Sequence, residues 1–360
     1  MDVPGSETLV EVTRGPLADA VHRGHLAVVT ADGTLLASVG DPCQAVAYLR
    51  SSAKPFQAMC VIAAGAGRRW GFSDQDIALI AGSHNGEHVH VALAEGLLRK
   101  TGLREHDLRC GSHPPLDRAT SQEMQRRGVE PTALHNNCSG KHIGMLSMAV
   151  HLGNDPAGYP DLDHPVQQRI LWTLSRFAGL SPDEMLTGID GCGVPCFGMS
   201  VYSMALAYAR LMKPQSVPAA EQRAADRVTA AMMSHPYLVA GRHRLDTAMM
   251  TAGQGALVSK GGAAGVQCVG LSGGVGLAVK VADGADAASM TRPAGLAAVE
   301  ALRQMRLMKD HQLARLSEHD RRPVRNLTGQ EVGEVRAVFS IGRSATSPVS
   351  ARPASDQGSP

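Results

Sequence analysis

Ser51 and Lys54 are spaced so that a hydroxyl and an amine could meet. They form a Ser-x-x-Lys motif, and residues three apart lie on the same face of a helical turn. Pro55 follows directly, and because proline fits only the first turn of a helix, the motif is predicted at a helix N-terminus. The helix dipole and burial both lower the pKa of a lysine there, and a neutral amine could take the serine proton in nucleophilic catalysis. The structural alternative is that Ser52 caps the helix and Lys54 is solvated.

Two further polar segments could carry chemistry. Ser83 lies in the run AGSHNGE, a turn in which it could act as a nucleophile or a proton relay. Cys138 and Lys141 lie three apart in NNCSGKHIGML, where a thiolate beside a cation could bind a metal or remain a low-pKa thiol. Each segment has a structural alternative: a hydrogen-bonded turn in the first, and a capped helix with a buried cysteine in the second.

Two more segments are rich in glycine. In GIDGCGVPC, the carboxylate of Asp190 suits the ammonium group of a substrate, and Cys192 could join Cys138. Lys260 lies in SKGGAAG, just before a predicted hairpin. A Lys-x-Gly on a strand beside a Ser-x-x-Lys helix resembles the arrangement in penicillin-recognising acyl-serine enzymes.

The elements that must position these residues are two hairpins and a series of helices. Alternation around turn residues predicts strands at residues 25–30 and 34–39, and again at 265–271 and 275–281. Helical spacing is found between the two hairpins, in residues 75–80, 89–100, 141–152, 165–178, 201–211 and 219–233.

Helix starts are predicted at Ser73 and at Ser181, the second with proline in the first position. Strands at both ends with helices between them predict an α+β fold, in which the terminal hairpins share one antiparallel sheet with helices on its faces. We expect a single catalytic domain over residues 1–340, with a helical central portion at about 85–235. The Ser-, Pro- and Ala-rich segment 344–360 is predicted to be a disordered tail.

Composition excludes several classes of partner. Lys plus Arg number 35 and Asp plus Glu 33, so the net charge of +2 argues against a nucleic-acid binder. The sequence contains no run of 18 apolar residues, so no membrane span is predicted. Residues 1–15 lack the apolar core of a signal peptide. Seven scattered cysteines are typical of reduced thiols. We therefore expect a cytoplasmic protein.

Taken together, the motifs resemble those of one family. The runs RSSAKPFQA, AGSHNGE, NNCSGKHIGML, GIDGCGVPCF, HPYLVAGRHRLDT and SKGGAAG resemble, in the same order, the rhizobial-type L-asparaginases, from about residue 22 to residue 334. The resemblance implies a fold similar to serine β-lactamases and glutaminases, a homodimer, and hydrolysis of L-asparagine to L-aspartate and ammonia. It also implies two Ser-Lys tandems beside a zinc site made by two cysteines and a lysine.

Carried over by motif, the resemblance assigns a role to ten residues. They are the tandems Ser51 with Lys54 and Ser83 with Lys260, the zinc ligands Cys138, Lys141 and Cys192, and the substrate-binding residues Arg50, Asp190 and His142. A lysine must lose its proton to bind a metal, but two thiolates, an amine and a water would complete the tetrahedral set that zinc prefers.

Two questions stay open on the sequence. We favour Ser51 as the nucleophile and Ser83 with Lys260 as a proton relay, although the opposite assignment is possible. The alternatives in function are a penicillin-recognising acyl-serine hydrolase and a catalytically silent protein that binds zinc or an amino acid.

Overall fold

The computed structural model describes residues 4–285 and 292–343. The predicted disordered tail, residues 344–360, lies outside the described residues. The strands are β1 (Glu7–Arg14), β2 (Leu17–Thr30), β3 (Leu35–Val39), β4 (Val46–Tyr48), β5 (Leu186–Ile189), β6 (Pro195–Ser200), β7 (Leu257–Gly262), β8 (Val266–Leu271), β9 (Val275–Val281), β10 (Arg322–Arg325), β11 (Glu331–Ala337) and β12 (Gly342–Arg343). The helices are α1 (Lys54–Ala63), α2 (Ala66–Arg69), α3 (Asp74–Ile80), α4 (His88–Thr101), α5 (Arg118–Arg126), α6 (Ser139–Leu152), α7 (Pro165–Ala178), α8 (Val201–Met212), α9 (Ala219–Ser234), α10 (Pro236–Val239), α11 (Leu245–Gly253), α12 (Pro293–Gln304) and α13 (Asp310–Leu313).

The two predicted hairpins are present and share one sheet. Strand β2 pairs with β3, and β8 pairs with β9, both antiparallel. Strand β2 also pairs with β9, from Gly24 opposite Val281 to Thr30 opposite Val275. The antiparallel sheet built from both ends of the chain is therefore confirmed, and with it the α+β fold class.

The sheet contains more strands than the sequence predicted. Its order is β10-β11-β1-β2-β9-β8-β7, with β3 beside β2 and β12 beside β3. A second sheet, of order β4-β6-β5, includes two strands from the portion that was predicted to be helical. The central portion at 85–235 is thus not purely helical. The prediction of a single catalytic domain over residues 1–340 stays a prediction.

Helices cover both faces of the main sheet. Along β9, Gly276 and Ala278 point to one face and Leu277 and Val279 to the other, because side chains alternate along a strand, and all four are buried. Helix α8 packs on the Gly276 face so closely that a Cβ there would lie 1.9 Å from the carbonyl oxygen of Ala205. Helix α12 also packs against β8 and β9.

Helix α1 lies among the other helices and carries the first predicted lysine. It packs against α6, α7 and α9, and its residues from Lys54 to Val61 are all buried. Phe56 makes edge contacts with Phe177 and Tyr208, with 5.6 Å between ring centres in each pair. The chemistry-bearing start of α1 is therefore fixed by packing along the rest of the helix.

The six predicted helices are all present. The two predicted helix starts lead into helices of different length. Ser73 caps α3 as expected. Ser181 also caps a helix start with Pro182 in the first position, as predicted, but it starts only the three-residue 3-10 helix Pro182–Glu184, which leads into β5. None of the helices in the described residues is long and apolar enough to cross a membrane.

Candidate active site

The segment that carries Ser51 is a tight turn ahead of α1. Residues Arg50–Ala53 form a 3-10 helix, and Lys54 is the first residue of α1, with Pro55 next to it. The motif therefore lies at a helix N-terminus, as predicted. Arg50 has a positive φ of 50°, which is uncommon for a residue other than glycine and is concentrated at functional sites.

Lys54 contacts a different serine from the one expected. Its Nζ donates to Ser83 Oγ at 2.7 Å and to the carbonyl oxygen of Asn137 at 3.0 Å. Ser51 is not among its hydrogen-bond partners in the described part of the chain. Burial lowers the pKa of Lys54, and the nearby ammonium of Lys141 lowers it further. The structure thus places a poorly solvated amine directly against Ser83.

The loop that carries Ser83 is held from several sides. The Ser83 amide donates to the carbonyl oxygen of Val239 at 2.7 Å, and a Cβ on Gly82 would lie 2.7 Å from that same oxygen. His84 is buried, accepts from the Gly86 amide at its Nδ1, and contacts Ser139 Oγ at 2.9 Å through Nε2. Burial lowers the pKa of His84 well below its usual range. The neutral imidazole therefore connects the Ser83 loop to the start of α6 and does not face a substrate.

Cys138, Lys141 and Cys192 meet although 54 positions separate the two cysteines. Cys138 precedes α6, Lys141 lies in the first turn of that helix, and Cys192 lies in the turn between β5 and β6. Lys141 Nζ donates to Cys192 Sγ at 3.0 Å. A hydrogen bond from Cys192 and the cations Lys141 and Lys54 lower the pKa of Cys138, whereas the same hydrogen bond and burial raise the pKa of Cys192.

This donor set fits zinc chemically. Burial alone would lower the pKa of Lys141, but the two neighbouring sulfurs outweigh burial and raise it. A metal cation would take the place of that lysine proton. Two soft thiolates and one nitrogen are donors that zinc accepts and that calcium and magnesium do not. Residues 4–285 and 292–343 contain no cluster of three or more His, Cys, Asp or Glu side chains that could hold a metal ion, and this set has only two such side chains beside its lysine.

Lys260 lies on β7 with its amine fully buried. Ser52 Oγ donates to the carbonyl oxygen of Lys260 at 2.8 Å, which ties β7 to the turn before α1. Burial lowers the pKa of Lys260 to about 7. Its Nζ lies 3.6 Å from a carboxylate oxygen of Asp246, which is also buried. Asp246 lies in the run HPYLVAGRHRLDT but was not selected as a site residue, because an acidic residue in the first turn of a helix commonly interacts with the helix dipole.

Arg50 and Asp190 form an ion pair. Arg50 donates to Asp190 Oδ1 through Nε at 2.8 Å and through Nη2 at 2.7 Å. Burial raises the pKa of Asp190, but Lys141 and Arg50 outweigh burial and hold it below its usual value. The pair is thus charged on both sides and already in contact. An amino-acid head group would have to reach both residues from the same side.

His142 is buried against Tyr159. Tyr159 OH accepts from the Arg109 amide at 2.9 Å and lies at hydrogen-bond distance, 2.6 Å, from His142 Nδ1. His142 Nε2 is buried with no hydrogen-bond partner among the described residues. Burial lowers the pKa of His142 well below its usual range.

A cavity of about 750 Å³ opens beside these groups. Its wall includes Ser51, Ser83, Asn137 and Asp246, so both candidate hydroxyls face one space. Within the described ranges, that wall does not include the three residues that the resemblance assigns to the substrate, which are Arg50, His142 and Asp190.

The chain was compared with known proteins and families. The comparison with curated proteins found no match. Solved structures titled as Mglu in its glutamate form and Mglu in its native form each align at 16% identity and a TM-score of 0.37, over 79% of this chain and 61% and 65% of those chains. The chain spans about three fifths of the first of these solved chains, and likeness at this level carries no argument about its chemistry. The sequence profile of the family described as L-asparaginase II, however, matches residues 10–337. Because that match covers nearly all of the chain, the chain belongs to the L-asparaginase II family.

Proposed function

We propose that this protein is a serine-type amidohydrolase that converts L-asparagine and water to L-aspartate and ammonia. The family supports amide hydrolysis of this kind. The observation that carries the mechanism is the 2.7 Å hydrogen bond between Lys54 and Ser83 at the wall of the cavity. A buried lysine of lowered pKa in contact with a serine is the arrangement that Ser-Lys nucleophilic catalysis needs.

In the first half of the proposed reaction, the serine oxygen attacks the side-chain amide carbon and Lys54 takes the serine proton. The ammonium of Lys54 then donates that proton to the amide nitrogen, the C–N bond breaks and ammonia leaves. In the second half, water attacks the resulting ester and the serine recovers its proton. Lys260 supplies a second amine of lowered pKa for proton relay.

Two serines are candidates for the nucleophile. Ser83 has the amine of Lys54 at hydrogen-bond distance in this structure, which favours it over the Ser51 expected from the motif. Ser51 is the second candidate, because it lines the same cavity and because catalytic hydrogen bonds often form only when substrate binds.

Following the family resemblance, Arg50 would bind the α-carboxylate of the substrate and Asp190 its α-ammonium, although neither residue is part of the described cavity wall that Ser51 and Ser83 line. These charges fix the position of the head group, so the longer side chain of glutamine would carry its amide past the attacking oxygen by about 1.5 Å. We therefore propose a preference for asparagine over glutamine.

Zinc would be held by Cys138, Lys141 and Cys192 in this proposal. Bound zinc would act as a Lewis acid that orients the substrate and would not generate the nucleophile. The homodimer implied by the family resemblance and a cytoplasmic location stay predictions.

The test is ammonia release from L-asparagine and L-glutamine by the purified protein and by Ser83→Ala, Ser51→Ala and Lys54→Met. We expect turnover of asparagine, much slower turnover of glutamine, and a loss of kcat on the order of 10³-fold or more in the variant that lacks the nucleophile and in Lys54→Met. Mass spectrometry of quenched reactions identifies the acylated serine. Full activity in folded Lys54→Met would overturn the Ser-Lys mechanism, and equal rates on the two amides would overturn the head-group argument.

A further inference from the structure

We propose that Asp246 is the positioning residue for Lys260, and that its buried carboxylate fixes where the lysine amine lies and at which pH that amine changes charge. The inference deepens the proposed function, since it assigns a partner to the second amine of the same site. None of the family motifs read from the sequence gave Asp246 a role.

The carboxylate of Asp246 is held by donors on the two neighbouring strands β7 and β8. Its Oδ1 accepts from Ser259 Oγ at 2.8 Å and from Gln267 Nε2 at 3.0 Å. Both oxygens lie 2.9 Å from the Gly261 amide nitrogen. Gln267 also donates to Ser259 Oγ at 2.9 Å, so the donors around the carboxylate are themselves held in place.

The cation on β7 that lies close to this carboxylate is Lys260. Asp246 Oδ2 lies 3.6 Å from Lys260 Nζ, and the two side chains are 4% and 0% exposed. Lys260 Nζ donates in addition to the carbonyl oxygen of Gly261 at 2.8 Å. Because Gly261 binds the carboxylate through its amide and the amine through its carbonyl, one residue of the backbone sets the spacing of the pair.

A contribution to stability alone does not explain why this ion pair is buried beside the cavity. A buried ion pair costs desolvation energy that its attraction often fails to offset, so it is weak evidence for stability. Asp246 and Gly261 both line the cavity that Ser51 and Ser83 share. Asp246 therefore lies where its charge can act on the reaction.

Asp246 opposes the effect of burial on Lys260. Burial disfavours the ammonium, and the Asp246 carboxylate favours it. The other titratable or charged groups that act on this pair come from the neighbouring elements and are Lys54, Cys138, Tyr208, Arg244, Cys268 and His319. Since Lys54 and Arg244 are cations, removal of the carboxylate leaves the Lys260 amine beside charges that repel a proton.

The test compares the wild type, Asp246→Asn and the matched control Ser259→Ala. Asp246→Asn keeps the side-chain shape and removes the charge, whereas Ser259→Ala removes one hydrogen bond to the carboxylate and keeps its charge. The Lys260 amine is followed by NMR titration with isotope-labelled lysine, and Lys260→Met identifies its signal. We expect the titration midpoint to fall by at least one pH unit, a tenfold change in proton affinity, in Asp246→Asn, and by much less in Ser259→Ala.

The pH profile of kcat/KM gives a second readout. The limb that reports Lys260 should move to lower pH in Asp246→Asn, whereas a merely structural role would lower the rate without moving the limb. An unchanged Lys260 midpoint in a folded Asp246→Asn protein would overturn the inference. If Asp246→Asn does not fold, Lys260→Met tests the same pair by removing the amine. The Asp246 carboxyl should then take up a proton at higher pH than in the wild type. An unchanged carboxyl titration would also overturn the inference.

These outcomes are distinguishable from failure of the proposed function. A wild type that releases no ammonia from asparagine would overturn the proposed function, while the NMR titration of Lys260 would still decide the role of Asp246.

Discussion

Burial changes what a lysine can do at neutral pH. A surface lysine is an ammonium up to a pH of about 10, but Lys54 and Lys260 are both fully buried and have lowered pKa values. Each can therefore be a neutral amine, able to accept a proton, at a pH at which most lysines are already protonated. Two such amines near one cavity make proton transfer the chemistry that the site suits best.

The activity should depend on pH through Lys260. Its pKa is about 7, so the amine is protonated below that pH and neutral above it. If relay needs the neutral form, kcat/KM should fall about tenfold for each pH unit below 7 and reach a plateau above it. The pH profile with L-asparagine measures this limb, and folded Lys260→Met should lack it. A wild-type profile that stays flat down to pH 5 would contradict the prediction.

Metal content should depend on Cys138. Because each protein ligand must lose its proton to bind zinc, we expect zinc affinity to fall as the pH is lowered. Elemental analysis should find zinc in the wild type and much less in Cys138→Ser. Cys43→Ser is the matched control, because Cys43 is exposed. Equal zinc in all three proteins would remove Cys138 from the ligand set.

Chelation separates an orienting metal from one that generates the nucleophile. With serine as nucleophile, removal of zinc should raise KM and leave much of kcat. Complete loss of kcat that returns when zinc is added back would point instead to a metal-bound hydroxide as nucleophile.

At the scale of elements, capping fixes the helix that leads into the Ser83 loop. Ser73 accepts from the Asp76 amide, and Asp76 accepts in turn from the Ser73 amide at 2.7 Å and from the Ser73 hydroxyl at 2.8 Å. Asp76 is fully buried and is also bound by Lys100. Loss of one member therefore leaves buried groups without partners.

Ser73→Ala should lower the free energy of unfolding by about 1 kcal/mol. Ser181→Ala is the matched control, because Ser181 binds Glu184 in a similar way, but Glu184 is exposed whereas Asp76 is buried, and Ser181 starts only a three-residue 3-10 helix. We expect that control to change stability by less than about 0.5 kcal/mol. Chemical denaturation measures both, and equal effects would contradict the role given to burial here.

Local pattern predicted some of these elements and missed others, among them the eight-residue strand β1 and the twelve-residue helix α12. The hairpins around residues 31–33 and 272–274 and the six helices were predicted because alternation and helical spacing extend over several residues. The short strands β4 and β5, of 3 and 4 residues, show no such pattern and were missed. The helix start at Ser181 was predicted, but its short length was not, because cap chemistry alone does not tell how far a helix continues.

The residues of the candidate site were largely predictable from the sequence, but the contacts between them were less so. The family resemblance implied that Cys138 and Cys192 belong to one cluster. Nothing local could place Lys54 against Ser83, because that contact depends on how the loop after α3 folds over the start of α1. Asp246 was missed for the same reason, since burial and the distance to Lys260 are properties of the tertiary structure.

At the scale of the whole molecule, the site depends on joining the two ends of the chain. The turn before α1 is tied to β7 through Ser52 and Lys260, and β7 belongs to the sheet in which β2 and β9 pair. Helix α8 rests on that sheet where Gly276 leaves room for it, and Tyr208 of α8 donates to the carbonyl oxygen of Ser52 at 2.8 Å. A disturbance between α8 and β9 should therefore reach the site.

Gly276→Ala should lower the free energy of unfolding by about 3 kcal/mol or more, because its Cβ would lie 1.9 Å from the Ala205 carbonyl oxygen and 2.5 Å from the Ala209 amide nitrogen. The matched control is Gly96→Ala in α4, where the nearest atom to the new Cβ is a flexible arginine nitrogen 3.8 Å away. There alanine should stabilise the helix by about 0.5 to 1 kcal/mol. Denaturation curves compare the two variants. Similar stabilities would mean that α8 can move away from the sheet, and that the close contact at Gly276 does not hold the two ends of the chain around the site.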